Sequence, residues 1–193
     1  MLLLALVFAP FIAVLLPFLV AQRGRTAIAV SAALAPAIGL ALLLSQAPQV
    51  LDGVVVAVSY PWIAQLGLNL SFRLDGLSFL FALLILGIGL LVILYARYYL
   101  SEQERVARFF ACLLLFMGSM LGLVLAGNLL LMLMFWELTS LSSFLLIGFW
   151  SQQTAARQGA RMALTVTGGG GLALLAGILV IGHVVGSYEL DDV

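Results

Sequence analysis

One acidic residue, Glu137, interrupts an apolar run that extends from residue 128 to residue 150. Insertion scales put an acidic side chain at the centre of a membrane helix at a cost of roughly 2.5–3.5 kcal/mol, so such a residue persists only where it faces protein or water. Intramembrane carboxylates usually handle a proton or an ion. The sequence therefore predicts that Glu137 transfers protons. The alternative is a neutral or hydrogen-bonded carboxyl that holds neighbouring helices together.

Three polar side chains near Glu137 or on the last apolar run are further candidates for a proton pathway. Ser140 lies three residues after Glu137, on the same helical face, and Ser143 follows it. Small hydroxyl residues also serve as ordinary packing residues between membrane helices. His183 could relay protons, but its position near the end of the last apolar run favours a structural or interfacial role.

Four consecutive glycines, Gly168, Gly169, Gly170 and Gly171, break the last apolar run. Such a run permits close approach of helices, or local unwinding where protein or water satisfies the backbone. Close packing is the favoured interpretation, whereas unwinding would admit water from the cytoplasmic side of Glu137. The single cysteine, Cys112, cannot build a disulfide or a metal site alone, and no phosphate loop or ligand cluster is present. We therefore expect neither a cofactor nor a metal.

The composition requires a membrane as the solvent for this chain. Hydrophobic residues make up 65% of the sequence and charged residues 8%, and the mean hydropathy is +1.26. Runs of about 20 apolar residues are long enough to cross a bilayer. We predict an all-α integral membrane protein with about six transmembrane helices, the first bent at Pro10 and Pro17. The predicted spans cover residues 2–20, 26–44, 74–96, 109–126, 129–150 and 162–185.

The arginines indicate the orientation of these spans. Seven of the eight arginines follow the first, third or fifth span, and Arg73 is the exception. The positive-inside rule then places those connections in the cytoplasm and the N-terminus outside. We expect a multi-pass protein of the inner (plasma) membrane. Eight acids balance the eight arginines and lysine is absent, so a nucleic-acid surface is not expected.

The connection between the second and third spans is the longest in the chain. Residues 54–60 are rich in β-branched side chains and residues 69–73 alternate in polarity, and these runs flank Pro61 and Trp62. Alternating and β-branched runs separated by turn residues are typical of a hairpin. We predict a small external β-hairpin closed by an irregular turn.

Two helix-start signals help to divide the chain. Asp75 precedes Gly76 at the start of the third span, where we expect it to act as the N-cap, and Ser101 and Glu104 have capping-box spacing. We predict three segments. They are residues 1–73 with two helices and the external loop, 74–108 with the third helix and a cytoplasmic connection, and 109–193 with three further helices.

Several motifs resemble one membrane family. Residues 108–120, 125–132 and 143–149, together with Trp136 and Glu137, resemble the opening of the antiporter-like subunits shared by Mrp-type Na⁺/H⁺ antiporters and respiratory complex I. The resemblance is dense over residues 75–193 and weaker before them. Within that superfamily, the segment 66–78 and the combination of Arg161 with the glycine run are most similar to the A subunit of the Mrp antiporter.

This resemblance implies a function for Glu137. In the family, the glutamate of this motif belongs to a proton half-channel and pairs with a lysine on a later helix. Family members contain two inverted five-helix repeats, so the resemblance implies a partial antiporter-like fold, the start of the first repeat. We expect the N-terminal portion of a split or truncated subunit, inactive alone. Its partners would be the rest of that subunit, other antiporter subunits, membrane lipid, protons and a monovalent cation.

Two other functions remain open from the sequence. The first is a proton-translocating membrane subunit of a complex I-like or hydrogenase-type respiratory enzyme. Complex I relatives tend to carry a charged pair where this chain has Gly168 and Gly171, which favours the transporter over the enzyme. The second is a structural remnant that only binds partner subunits, in which case replacing Glu137 by glutamine would leave the complex functional.

Overall fold

Six helical spans long and apolar enough to cross a membrane form the computed structural model, which describes residues 1–101 and 104–193. The predicted number of spans is therefore confirmed. The first span consists of two helices, α1 and α2, and a short helix, α4, follows the second span. The helices are α1 (Leu2–Ala13), α2 (Leu16–Leu19), α3 (Arg25–Ser45), α4 (Ala47–Leu51), α5 (Gly76–Tyr99), α6 (Val106–Leu125), α7 (Leu129–Ile147) and α8 (Thr154–Val185).

Prolines and glycines affect these helices differently. The first span is interrupted after Ala13, and Pro17 stands in the first turn of α2, whereas Pro10 lies inside α1, which is helical throughout. The glycine run, by contrast, does not break α8, which is helical from Thr154 to Val185. The local unwinding that was the alternative to close packing is therefore not present, because a glycine keeps its backbone donor and acceptor, and a membrane strongly favours their pairing within the helix. Proline has no N–H to pair.

The predicted hairpin is present between α4 and α5. Strand β1 (Val56–Ile63) pairs antiparallel with strand β2 (Leu68–Leu74). The turn is a 3-10 helix, Ala64–Leu66, followed by Gly67 in the left-handed region with φ of 65°. Pro61 and Trp62 lie within β1, where the register shifts, and not between the strands as predicted. A proline is tolerated there because β1 is an edge strand.

Helix α6 occupies the centre of the bundle and packs against α1, α3, α5 and α7. In the most apolar 18-residue stretch of α6, 61% of the residues are buried, whereas in that of α8 only 11% are. Helix α8 is therefore peripheral. An aromatic cluster ties α1 and the hairpin to α7: the Phe72 ring of β2 lies 6.3 Å from Phe8 and 6.1 Å from Phe135, between centroids. These spacings are favourable for aromatic pairs. The hairpin is thus fixed to the same core that positions α7.

The two helix-start predictions have different outcomes. Asp75 caps α5 as predicted: its carboxylate accepts from the Ser78 N–H at 2.8 Å, and the Ser78 hydroxyl accepts from the Asp75 N–H at 2.8 Å. The backbone N–H of Ser101 donates to Glu104 at 2.9 Å, but α6 begins only at Val106. The Glu104 N–H donates to the Ser101 carbonyl at 3.2 Å, and residues 102 and 103 between them lie outside the described residues.

Candidate functional site

Glu137 lies midway along α7 and is half-buried against α8. Its carboxyl occupies the space beside Gly171. A Cβ placed on Gly171 would overlap the Glu137 Oε1 and would lie 3.0 Å from Cδ and 3.6 Å from the Trp136 Cδ1. Any side chain at position 171 would therefore displace the carboxyl. The absence of a side chain at this one position is what lets the acidic group lie between α7 and α8.

The other three glycines of the run have different surroundings. A Cβ on Gly168, Gly169 or Gly170 would meet nothing within 4 Å among the described residues. Of the four glycines, the structure thus brings Gly171 alone against Glu137. Gly170, one residue earlier, lines a groove described below.

The hydroxyl candidates are engaged with the backbone of their own helix. Ser140 is buried and donates to the Trp136 carbonyl at 3.2 Å, and Thr139 donates to the same carbonyl at 2.7 Å. Ser143 is half-buried. At 3.6 residues per turn, Ser140 lies about 60° and Ser143 about 120° around α7 from Glu137. Ser140 is therefore the hydroxyl that shares a face with the carboxyl, and back-bonding to the i−4 carbonyl occupies its proton.

His183 lies far from this group. It is exposed on the last turn of α8, twelve residues beyond Gly171. At 1.5 Å per residue, that separation is roughly 18 Å along the helix. The structure does not bring His183 together with Glu137.

A groove of about 660 Å³ leads from the hairpin end of the bundle towards this site. Arg73 and Asp75 line it at the hairpin, and Trp136 on α7 and Gly170 on α8, both exposed, line it further along the bundle. Trp136 and Gly170 are the sequence neighbours of Glu137 and Gly171. Since a liquid water occupies about 30 Å³, the groove has room for water or for an apolar side chain from another helix.

A polar network at the hairpin end, centred on Asn128, was not predicted from the sequence. This residue is fully buried, and its Oδ1 accepts from the N–H groups of Leu130 and Leu131, which caps α7. Its Nδ2 donates to the Gly67 carbonyl at 3.0 Å and to the Glu189 Oε1 at 2.8 Å. An asparagine directly before an apolar helix is an N-cap signal, so the cap was predictable. The partner Glu189 was not.

Further contacts complete this network. We call it the hairpin-end network, and its members are Asn69, Arg73, Asp75, Asn128, Glu189 and Asp191. The Asn69 amide donates to the same Glu189 oxygen at 2.8 Å. Arg73 forms an ion pair with Asp191 at 2.7 Å and another with Asp75 at 3.4 Å. The network joins β2, the connection between α6 and α7, and the segment after α8. It fixes the ends of α7 and α8 relative to each other.

Two family models match separate parts of the chain. The N-terminus of chain 5 of NADH-ubiquinone oxidoreductase (complex I) matches residues 62–110. The transmembrane model of NADH:quinone oxidoreductase and the Mrp antiporter matches residues 126–193, which include Glu137, Gly171 and Asn128.

Curated relatives are named as antiporter subunits. A probable K⁺/H⁺ antiporter A/B subunit of Rhizobium meliloti is 58% identical over 146 residues, which are 76% of this chain and 15% of the relative. The Na⁺/H⁺ antiporter A1 subunit of Staphylococcus haemolyticus is 48% identical over 141 residues, 73% of this chain and 18% of the relative. The chain thus spans less than a fifth of the length of either relative.

Solved structures share the fold. The Mrp complex of Dietzia sp. matches with a TM-score of 0.84 and 33% identity, over 98% of this chain and 20% of the chain in that complex. The membrane-bound sulfane sulfur reductase, an archaeal respiratory membrane complex, matches with a TM-score of 0.82. The match covers 100% of this chain and 29% of the chain in that complex. Its identity of 20% means that this second likeness concerns the fold alone.

Proposed function

We propose that this chain contributes an intramembrane carboxyl, Glu137, to a proton pathway. The proposal proceeds from its family: the chain belongs to the antiporter-like membrane subunits found in Mrp antiporters and complex I. The pathway would operate within a multi-subunit antiporter that exchanges a monovalent cation for protons. The relatives are named for K⁺ in one case and Na⁺ in another, so the proposal concerns monovalent alkali cations as a class.

One observation carries this proposal: the Glu137 carboxyl lies midway along a membrane helix, in the space that Gly171 leaves on the adjacent helix. A glycine neighbour has no side chain to bond the carboxyl. A cation that approached would favour the ionised form, and its departure would favour the protonated form. Movement of a positive charge near Glu137 would therefore drive proton uptake and release. Lysine is absent from this chain, so a lysine partner would come from elsewhere in the assembly.

The transporter is preferred to the enzyme for two reasons. The curated relatives described above carry antiporter names, and the likeness to a respiratory complex below 25% identity concerns the fold alone. In addition, Gly171 stands against Glu137 at a position where complex I relatives tend to have one member of a charged pair. A charged side chain there would overlap the carboxyl in its present position.

The test is substitution of Glu137 in the assembled complex. Glu137→Gln keeps the size and hydrogen-bonding capacity of the side chain but removes its titrating proton, so we expect exchange to be lost while assembly stays near normal. Glu137→Asp keeps the carboxyl and should retain part of the activity. Cation-driven pH change in vesicles measures all variants. Assembled Glu137→Gln complexes that exchange at the wild-type rate would show that the carboxyl only packs helices.

The control for these variants should be an acidic residue whose carboxylate accepts no hydrogen bond from another part of the structure. Asp52, exposed after α4, meets that requirement, and Asp52→Asn should leave exchange unchanged. Glu104 does not, because one of its oxygens accepts from the Trp150 indole N–H at 2.5 Å and the other from the Ser101 backbone.

The proposed orientation places the arginine-rich connections in the cytoplasm and the hairpin and N-terminus outside an inner (plasma) membrane. Gln65 in the hairpin turn and Gln152 between α7 and α8 are both exposed, so single cysteines at these positions report the two sides. In a Cys112→Ser background, an impermeant thiol reagent should label Gln65→Cys from outside and Gln152→Cys from inside. Labelling of both from one side would contradict the topology.

A further inference from the structure

A basic cavity lies at the end of the bundle opposite the hairpin, where α6 begins and α7 meets α8. Its volume is about 240 Å³, and it is lined by the guanidinium-bearing side chains of Arg108, Arg157 and Arg161. We propose that this cavity binds the phosphate headgroup of an anionic membrane lipid. The site is separate from the proton pathway, since Glu137 does not line it.

Three positive charges line this cavity, and none of the described residues that line it is acidic. Arg157 and Arg161 are four residues apart on α8, so they share a helical face, and like charges at that spacing repel. Arg108, half-buried in the first turn of α6, adds a third positive charge. Both ion pairs found among residues 1–101 and 104–193 belong to Arg73, at the hairpin end. A phosphate would relieve the repulsion among the three arginines.

One of these side chains is held in place. Arg157 donates to the carbonyl of Ser151 at 2.8 Å and to the Thr154 hydroxyl at 3.2 Å, which fixes its guanidinium beside the turn between α7 and α8. A fixed guanidinium loses less conformational entropy when it binds an anion. Its planar fork also matches the oxygens of a phosphate, which makes arginine the common residue for phosphate recognition.

The wall of the cavity indicates a lipid as the source of that phosphate. Phe144 and Leu145, from the last turn of α7, and Gly148, its C-cap, line the cavity together with the arginines. Leu145 is also exposed on the surface that a bilayer would cover. A phosphate held by the arginines would place its glycerol and acyl chains along this apolar strip. Basic pockets between membrane helices on the cytoplasmic side bind anionic headgroups in this way.

The experiment compares lipid binding to the purified chain in detergent, measured by native mass spectrometry. Phosphatidylglycerol should bind at least about tenfold more tightly than phosphatidylcholine, since each basic residue strengthens the attraction to an anionic headgroup. The Arg108→Gln/Arg161→Gln double variant should lose this preference. Because Arg161 is exposed, the single Arg161→Gln variant keeps the fold and should lower the preference about threefold. Arg161→Lys keeps the charge and should retain most of it.

A matched control separates this cavity from general surface charge. Arg23 is an exposed arginine in the connection after the first span and does not line the cavity, so Arg23→Gln should leave the preference unchanged. Three results would overturn the proposal: equal binding of both lipids, an equal loss in Arg23→Gln and Arg161→Gln, or displacement of phosphatidylglycerol by glycerol phosphate at similar concentrations. The last result would identify a site for a soluble anion.

Discussion

The hairpin end of the molecule and the middle of the α7–α8 interface use polar residues in opposite ways. At the hairpin end, one Glu189 oxygen accepts from two amides, those of Asn69 and Asn128, each at 2.8 Å. In the middle of the interface, the Glu137 carboxyl faces Gly171, which has no side chain. A carboxylate with two fixed donors stabilises a single arrangement, whereas the Glu137 carboxyl fills the space against a glycine that offers it no side-chain donor.

The packing of the helices follows the same division. The buried helix α6 and the aromatic cluster around Phe72 hold α7 on one side, while α8 contacts the bundle mainly through α7. The outer face of α8 is apolar and exposed, with Val166, Leu172 and Val180 each more than 60% exposed. In a membrane this face is available to lipid or to further helices. Substitutions at the hairpin end should therefore change stability, and substitutions beside Glu137 should change transport.

The largest effect on stability is expected from Asn128→Ala. This change removes the N-cap of α7, worth about 1 kcal/mol, and two further hydrogen bonds of about 1 kcal/mol each. We expect the free energy of unfolding of the chain in detergent to fall by about 2–3 kcal/mol. Denaturant titration followed by tryptophan fluorescence measures it.

Asn69→Ala is the matched comparison for Asn128→Ala. It removes one of the two amide donors to Glu189 but no helix cap, so it should cost about 1 kcal/mol. Equal stability of Asn128→Ala and the wild type would contradict the view that the hairpin end is the rigid region.

A smaller effect is expected from the carboxyl of Asp75. The Ser78 N–H lowers its pKa below the ordinary value of 3.8, with further lowering by the Ser78 hydroxyl and the positive charge of Arg73, while partial burial acts in the opposite direction. Because the folded pKa is the lower one, this stabilisation is present above pH 3.8 and is lost as the pH falls through the folded pKa. Solvent screening keeps it under about 1 kcal/mol.

Asp75→Asn isolates that effect, since asparagine still caps a helix but does not titrate. The difference in unfolding free energy between the wild type and Asp75→Asn should therefore shrink between pH 6 and pH 3, by under about 1 kcal/mol. A constant difference over this range would show that the charge of Asp75 does not contribute.

The sequence predicted the parts of the fold that depend on local pattern. Span length and hydropathy located the six spans, alternation located the hairpin, and Asp75 before Gly76 located the cap of α5. Each of these features follows from residues within one continuous segment of the chain. The bond between Asn128 and Glu189, by contrast, joins positions 61 residues apart, and no local pattern specifies it.

The glycine run shows the same limit at the candidate site. The four residues are identical in sequence, yet only Gly171 lies against Glu137. Which glycine faces α7 depends on the rotation of α8 about its own axis. That rotation is set by contacts with α7 and by the hairpin-end network. The residues next to the glycines in the sequence are mostly apolar, so they do not indicate which side of α8 faces α7.

Gly171→Ala compared with Gly168→Ala tests the central claim most directly, that the space at position 171 positions the Glu137 carboxyl. Both variants add one methyl group to α8, but only at 171 would it overlap the carboxyl. In vesicles with the assembled complex, Gly171→Ala should lower cation-driven proton exchange by about tenfold or more, since a misplacement near 1 Å can cost that much, and Gly168→Ala should exchange at the wild-type rate. Equal rates in the two variants, with both complexes assembled, would contradict the account.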